Sequence, residues 1–131
     1  MKITLGLGCD RDTPAATIEH CIGEALAACG AVPEDVRAAA SIDLKANEPG
    51  LLEVIARHGW PSHFYPACEL ATVEVPNPSE TVRKHTGTPS VSEAAALLAA
   101  GADKNHLLIE KHKLRGPDGR NATVSIARIP A

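Results

Sequence analysis

The chain has 131 residues, of which 44% are hydrophobic and 22% are charged, and its formal net charge is −3. This composition is typical of a globular protein, and residues 1–131 are predicted to form a single domain. Aromatic residues account for only 2% of the chain, and with the acidic net charge this argues against a stacking platform or a basic surface for nucleic acid.

Apolar runs typical of strands alternate with runs of helical periodicity, and glycine or proline separates most of them. The predicted elements, in chain order, are a strand over residues 3–7, a helix over 14–29, a helical turn from 33, a strand over 38–44, a helix over 49–58, a strand over 61–66, a short helix through 69, a short helix over 78–86, a helix over 91–100, and strands over 106–114 and 121–129. On the second helix, the residues expected to face the core are Leu51, Leu52, Ile55 and His58.

Helices that alternate with strands, closed by two strands around a Pro-Asp-Gly turn at 117–119, predict an α/β fold. The expected architecture is a layered α/β/α sandwich with a mixed, mostly parallel sheet that ends in an antiparallel hairpin. No repeat and no low-complexity linker divides the chain.

Three helices carry capping signals at their N-termini. Thr13 is predicted to cap the first helix, with Pro14 as its first residue, and Asn77 is predicted to cap the short helix that follows it. Ser90 and Glu93 complete a capping-box pattern, so Ser90→Ala is expected to cost about 1 kcal/mol of stability.

The cysteine and histidine spacings contain no metal or redox motif. The four cysteines form no C-x-x-C pair and the six histidines no H-x-x-x-H pair, so neither a metal site nor a cofactor is predicted. Cys21 and Cys29 lie on one face of the first helix, where they are expected to pack as small apolar side chains. No apolar run has membrane length and no signal-peptide pattern is present, so we expect a cytoplasmic protein without a membrane partner.

Polar residues follow the predicted strands at the edge where ligands of α/β sheets bind, beyond the carboxyl ends of the parallel strands. They lie in three loops and at the end of the fourth strand, over residues 8–13, 44–48, 77–80 and 110–113. The candidate ligand-binding residues are Gly8, Cys9, Arg11, Thr13, Lys45, Glu48, Asn77, Ser79 and Lys111. Each of these residues also has a structural explanation that needs no ligand. Gly8 can make a tight turn, Asn77 and Ser79 can cap a helix, and the cations can be ordinary solvated charges.

Cations and helix N-termini at one edge suit a ligand that carries carboxylates or phosphates. Gly6 and Gly8 lack the third glycine of the dinucleotide fingerprint, and no phosphate-binding P-loop occurs. Cys9 precedes a helix N-terminus, where a thiolate is favoured, but no general base is evident beside it. The catalytic candidates are Cys9, Glu110 and His112.

Five segments carry a resemblance to a known family, and they read GLGCDRDT, ASIDLKANEPGLLEVIA, VEVPNPSETV, GTPSVSEAAALLAAG and LLIEKHK followed by ATVSIAR. In this order, from about residue 3 to residue 128, they resemble the CobE and CbiG C-terminal family of cobalamin biosynthesis. The family's first loop usually reads G-x-G-C-R-R-G-T, whereas here Asp10 and Asp12 flank Arg11. Because two acidic residues repel an anionic ligand, we expect them to cap the helix or to accept the ligand's donors.

The resemblance implies a role in building the corrin ring. Full-length relatives are associated with opening a lactone ring of a cobalt-precorrin and losing acetaldehyde, and a stand-alone chain resembles CobE. Three functions are consistent with it: a protein that binds or carries a precorrin-type tetrapyrrole, a small lactone hydrolase or isomerase acting on a precorrin, and an accessory subunit of another cobalamin pathway enzyme. The acetate and propionate groups of corrin intermediates suit a rim of arginine, lysine and backbone N–H groups.

We predict that the four cysteines are reduced, because their spacing is irregular and no secretory signal is present. Thiol counting on the denatured, unreduced protein is expected to find four free groups, at Cys9, Cys21, Cys29 and Cys68. A count of two would contradict this prediction.

Overall fold

A five-stranded mixed sheet forms the centre of the computed structural model, which describes residues 1–76 and 90–130. The strands are β1 (Ile3–Cys9), β2 (Val36–Ile42), β3 (Ser62–Tyr65), β4 (Leu107–Arg115) and β5 (Asn121–Arg128). Their spatial order is β3-β2-β1-β5-β4. β2 pairs in parallel with β1 and β3, whereas β5 pairs in antiparallel with β1 and β4. The predicted α/β fold, with a mixed sheet and a final antiparallel hairpin, is confirmed.

Helices cover both faces of the sheet. They are α1 (Ala15–Ala28), α2 (Pro49–His58), α3 (Ala67–Leu70) and α4 (Val91–Ala100), and 3-10 turns span Pro33–Asp35, Asp43–Lys45 and Lys104–His106. α1 and α2 pack on the face to which β1 contributes Ile3, Leu5 and Leu7, while α3 and α4 pack on the opposite face. The predicted helix that starts after Asn77 lies outside the described residues. In the described ranges, no helix combines the length and the apolar character that a bilayer crossing requires.

Element boundaries differ from the predictions mainly around the second strand. β2 starts at Val36 and ends at Ile42, so Leu44 lies in the following 3-10 turn, where it is 58% exposed. On α2, Leu51 and Ile55 face the core as predicted, but Val54 is buried where Leu52 was expected and Leu52 is 37% exposed. Both helix stops predicted from glycine, at the C-terminal ends of α2 and α4, are confirmed by left-handed backbone conformations.

The cysteines of α1 pack as predicted. Cys21 is fully buried in the cluster that α1 and α2 form with the sheet, and Cys29 packs at the border of the same cluster. All four cysteines are free thiols in this structure.

The capping-box prediction at the start of α4 is wrong. Ser90 does occupy the N-cap position, but its side chain makes no capping hydrogen bond. The Glu93 side chain is fully buried and its Oε1 lies 3.9 Å from Lys111 Nζ on β4. A cation on the neighbouring strand therefore takes the place that the backbone N–H of Ser90 has in a capping box.

α4 lies directly on the backbone of β1. Thr4 Oγ1 donates a hydrogen bond of 2.7 Å to the carbonyl oxygen of Ala96. A Cβ atom on Gly6 would overlap the carbonyl oxygen of Ser92 and would lie 2.8 Å from Ala96 N. The helix meets the strand at this distance because Gly6 has no side chain and because α4 presents small residues, all fully buried, at Ala94, Ala95 and Ala96.

We predict that Gly6→Ala destabilises the fold by about 3 kcal/mol or more, since the added methyl group would meet helix backbone rather than a movable side chain. Chemical denaturation monitored by circular dichroism measures the loss. Gly8→Ala is the matched control, because the nearest described atom to a Cβ on Gly8 is Thr123 Cβ at 3.8 Å. Equal stability of the two variants would contradict the close packing of α4 on β1.

Candidate functional site

The carboxyl ends of β1, β2 and β3 form one edge of the sheet, and α1, α2 and α4 begin near this edge. Two of the predicted loops meet there, the β1–α1 loop (residues 10–14) and the β2–α2 loop (residues 43–48). Asp12 N donates a hydrogen bond of 2.9 Å to Glu48 Oε2, which joins them. The third predicted loop, with Asn77 and Ser79, lies outside the described residues.

The hairpin between β4 and β5 holds the β1–α1 loop from one side. Asp10 Oδ2 accepts hydrogen bonds from the backbone N and from Nδ2 of Asn121, at 2.8 and 3.1 Å. Arg120 Nε donates to the carbonyl oxygen of Arg11 at 3.1 Å. Asp10 is exposed, but its side chain does not cap α1, because β5 engages one of its carboxylate oxygens.

The start of α2 holds the same loop from the other side. Asp12 has a φ of 64°, a strained conformation for a residue other than glycine, and the bond from its N–H to Glu48 stabilises it. A Cβ on Gly50 would overlap the carbonyl oxygen of Thr13, so the loop and the first turn of α2 are in direct contact. Glu48 is only 4% exposed and its Oε1 lies 4.0 Å from Lys45 Nζ. Its carboxylate therefore serves the loop, although the sequence suggested a ligand contact.

Thr13 faces inward and is 2% exposed. Its hydroxyl donates to the carbonyl oxygens of Asp10, at 2.7 Å, and Asn121, at 3.4 Å, while its N–H also donates to Asp10 O. Pro14, not Thr13, occupies the N-cap position of α1. The N-cap prediction is therefore wrong, because the threonine hydroxyl finds partners in its own loop and in β5, and neither donor of Thr13 points toward solvent.

Cys9 is held as a neutral thiol. Burial raises the pKa of Cys9 to about 11, Lys45 lowers it, and the carboxylates of Glu48 and Asp10 raise it again. The expectation of a favoured thiolate is not met, because the sheet end buries the sulfur and two carboxylates lie near it. This agrees with a residue that lines the site and does not act as a nucleophile at neutral pH.

The other two catalytic candidates are on β4, and β5 lies between them and Cys9. Two strand spacings amount to about 10 Å, so the three side chains form no common constellation. His112 Nε2 lies 2.8 Å from Glu24 Oε1 on α1, and Glu110 is exposed in the middle of the strand, which continues to Arg115. Across residues 1–76 and 90–130, no group of three His, Cys, Asp or Glu residues is placed to hold a metal ion.

In the two loops at this edge, Asp10, Arg11, Asp12, Asp43, Leu44, Ala46 and Asn47 are exposed and Lys45 is partly exposed. The Arg11 side chain is exposed, while its carbonyl is fixed by Arg120. Lys45 is 22% exposed and lies beside Glu48, so it is less of a surface residue than expected. Sequence reasoning placed Leu44 at the end of the second strand and the start of the candidate loop 44–48, but not among the binding residues. It missed Arg120 and Asn121, whose proximity depends on the strand order.

Residues 3–127 match the protein family described as "Cobalamin synthesis G C-terminus". The α/β fold, with polar loops gathered at the carboxyl edge of the sheet, is thus the fold of a cobalamin-synthesis protein of the CobE and CbiG type. The chain belongs to this family, as its five sequence segments indicated.

Two curated relatives and one crystal structure illustrate the similarity. Cobalt-precorrin-5A hydrolase of Priestia megaterium is 41% identical over 128 residues, which cover 98% of this chain and 32% of the hydrolase. Protein CobE of a Sinorhizobium species is 41% identical over 103 residues, which cover 77% of this chain and 67% of that protein. The crystal structure of a CobE from the cobalamin biosynthetic pathway superposes with a TM-score of 0.83 at 28% identity, covering 99% of this chain and 95% of that one. The chain thus spans about a third of the length of the hydrolase.

We predict that alkylation of Cys9 by iodoacetamide accelerates with pH up to a midpoint of about 11, because the thiolate is the reactive form. Glu48→Gln removes a negative charge and should lower this midpoint, whereas Lys45→Gln removes a positive charge and should raise it. Peptide mass spectrometry after timed labelling follows Cys9 separately, and the exposed Cys68 reports the activity of the reagent. A wild-type midpoint at the ordinary value of about 8.5 would contradict the buried position of the thiol.

Proposed function

We propose that this protein binds a precorrin-type tetrapyrrole at the carboxyl edge of the sheet and carries it between enzymes of cobalamin synthesis. The observation that carries the proposal is the exposed Arg11 side chain on a loop whose backbone is fixed on both sides. A cation on a pre-organised loop binds an anion with little loss of conformational entropy. Membership of the family and similarity to CobE support the pathway.

The chemistry of the ligand matches the residues at this edge. Corrin precursors carry acetate and propionate groups around a large apolar ring. Arg11 offers a planar donor pair for one carboxylate, and Lys45 adds a second positive charge 4.0 Å from Glu48. Leu44, 58% exposed between these cations and the end of β2, offers an apolar contact for the ring. Asp10 repels the ligand less than its charge suggests, since its carboxylate accepts two hydrogen bonds from Asn121.

A second function is lactone hydrolysis on a precorrin. It is favoured by the 41% identity of this chain to the cobalt-precorrin-5A hydrolase of Priestia megaterium. It would have to use residues other than the expected ones. Cys9 is a neutral thiol, and His112 is engaged with Glu24 on the face that α1 covers. An accessory role, in which the same edge contacts another pathway enzyme, predicts no affinity for a free corrin.

We predict that Arg11→Ala weakens the binding of a stable corrin polycarboxylate such as cobyrinic acid by about 1.5–3 kcal/mol, the range for hydrogen bonds to charged groups. Stability should stay unchanged, because the side chain is exposed. Isothermal titration calorimetry measures the affinity, and added salt should weaken it. Arg128→Ala is the matched control, since Arg128 ends β5 at the opposite edge of the sheet.

Lys45 needs a paired design, because removing it alone would leave the buried Glu48 carboxylate without its neighbouring cation. Lys45→Gln combined with Glu48→Gln removes both charges while the glutamine oxygen still accepts from Asp12 N. Unaltered affinity in this variant and in Arg11→Ala would show that the loops are only turns. A mass change of a late precorrin incubated with the protein alone would favour the hydrolase instead.

A further inference from the structure

Three residues form a row across the sheet, above the point where α4 begins. Gly8 is the register partner of Thr123, and Thr123 is the register partner of Lys113. Register partners in antiparallel strands point to the same face, and Gly8 shares its face with Gly6, two residues earlier on β1. Gly6 contacts the first turn of α4, so within residues 1–76 and 90–130 the row lies beyond the part of this face that the helix covers. Gly8 and Thr123 are half-buried and Lys113 is exposed.

Among the described residues, none lies closer than ordinary contact distance to the position that a side chain on Gly8 would take. The φ of Gly8 is not positive, and a Cβ atom there would lie 3.8 Å from Thr123 Cβ, an ordinary contact. The fold therefore tolerates a side chain at Gly8, in contrast to Gly6. A glycine that the fold does not require is a position where a ligand can approach the backbone.

Two lysines of β4 lie in or beside the row. Burial lowers the pKa of Lys111, Glu93 raises it, and the nearby charge of Lys113 lowers it again. Glu93 Oε1 lies 3.9 Å from Lys111 Nζ and offsets the charge of that lysine. Lys113 is exposed, so its positive charge faces solvent. The N-terminus of the ten-residue helix α4 adds a partial positive charge from below. Ser90 Oγ, at this N-terminus, is buried without a hydrogen-bond partner in the described part of the chain.

We propose that Gly8, Thr123 and Lys113 form a carboxylate subsite on the α4 face of the sheet, separate from the loops that carry Arg11 and Lys45. Lys113 pairs with the carboxylate, the Thr123 hydroxyl donates a hydrogen bond to it, and Gly8 leaves room for the chain that bears it. The proposal rests on the proposed function, since the carboxylate is assigned to a second side group of the same tetrapyrrole. The ring would then span the edge of the sheet, with its anionic groups on both sides.

The test compares Lys113→Gln, Thr123→Val and Gly8→Val with wild type, using cobyrinic acid and its fully methyl-esterified form as probes. Each variant should bind cobyrinic acid about tenfold more weakly, with unfolding midpoints unchanged. The weak residual binding of the ester should be the same in wild type, Lys113→Gln and Thr123→Val, because the ester lacks the carboxylate. Gly8→Val should weaken the ester too, because the added side chain fills the room for the group that bears it. Lys2→Gln removes the same charge at the opposite end of β1 and should leave affinity unchanged.

Failure of this subsite is distinguishable from failure of the proposed function. Loss of affinity in Arg11→Ala but not in Lys113→Gln or Thr123→Val would overturn the subsite alone. If wild type binds no corrin, the proposed function fails, and nitrogen-15 NMR titration with glutarate decides about the subsite. Saturable shifts of the Thr123 and Lys113 amides that disappear in Lys113→Gln would support it, and their absence in wild type would overturn it. Inorganic phosphate in a parallel titration tests whether the subsite distinguishes carboxylates from other anions.

Discussion

The contact between α4 and the bare backbone of β1 at Gly6 is the constraint on which the remaining layers depend. With no side chain between them, helix and strand approach until Ser92 and Ala96 touch the strand, and Thr4 bonds to the helix. The small residues of α4 complete this contact. Because the helix lies close to the strand and starts level with Gly6, the last residues of β1 extend past it, and no other described element covers their α4 face. Packing in the core thus decides how much of this face the helix covers.

A second constraint acts on the loop after β1. From the sequence alone, Asp10, Asp12 and Glu48 could each be interpreted as a ligand-binding residue. In the folded chain Asp10 and Glu48 accept backbone hydrogen bonds, from Asn121 and Asp12. Both carboxylates keep their charge, and the exposed Asp12 and Asp43 add to it at the same edge. What the hydrogen bonds do is fix the backbone on both sides of Arg11. Asp10 and Glu48 therefore have a structural role, since they hold the segment that carries the exposed arginine.

The sequence predicted those features that depend on neighbouring residues. Pro49, Gly59, Gly101 and the Pro-Asp-Gly turn mark boundaries that the structure confirms, because each residue restricts its own backbone. The failed predictions concern side chains with partners far along the chain: Thr13 bonds to Asn121 and Glu93 lies beside Lys111. The prediction of a favoured thiolate at Cys9 was wrong for the same reason, since the burial of the sulfur and its proximity to Glu48 depend on tertiary packing. Without the strand order, no local pattern could have placed the hairpin beside the first loop.

The position of β5 has a consequence for how the chain acquires its structure. It is the last strand along the described chain, yet it lies between β1, the first, and β4. Ile3 pairs with Arg128, so this contact closes a loop that includes nearly the whole chain. Contacts of such high sequence separation slow folding. During synthesis, β1 can meet β2 early but has only one neighbour until β5 leaves the ribosome. Asn121 and Arg120 arrive with that strand, so the β1–α1 loop gains the partners of Asp10 and Arg11 only when the sheet closes.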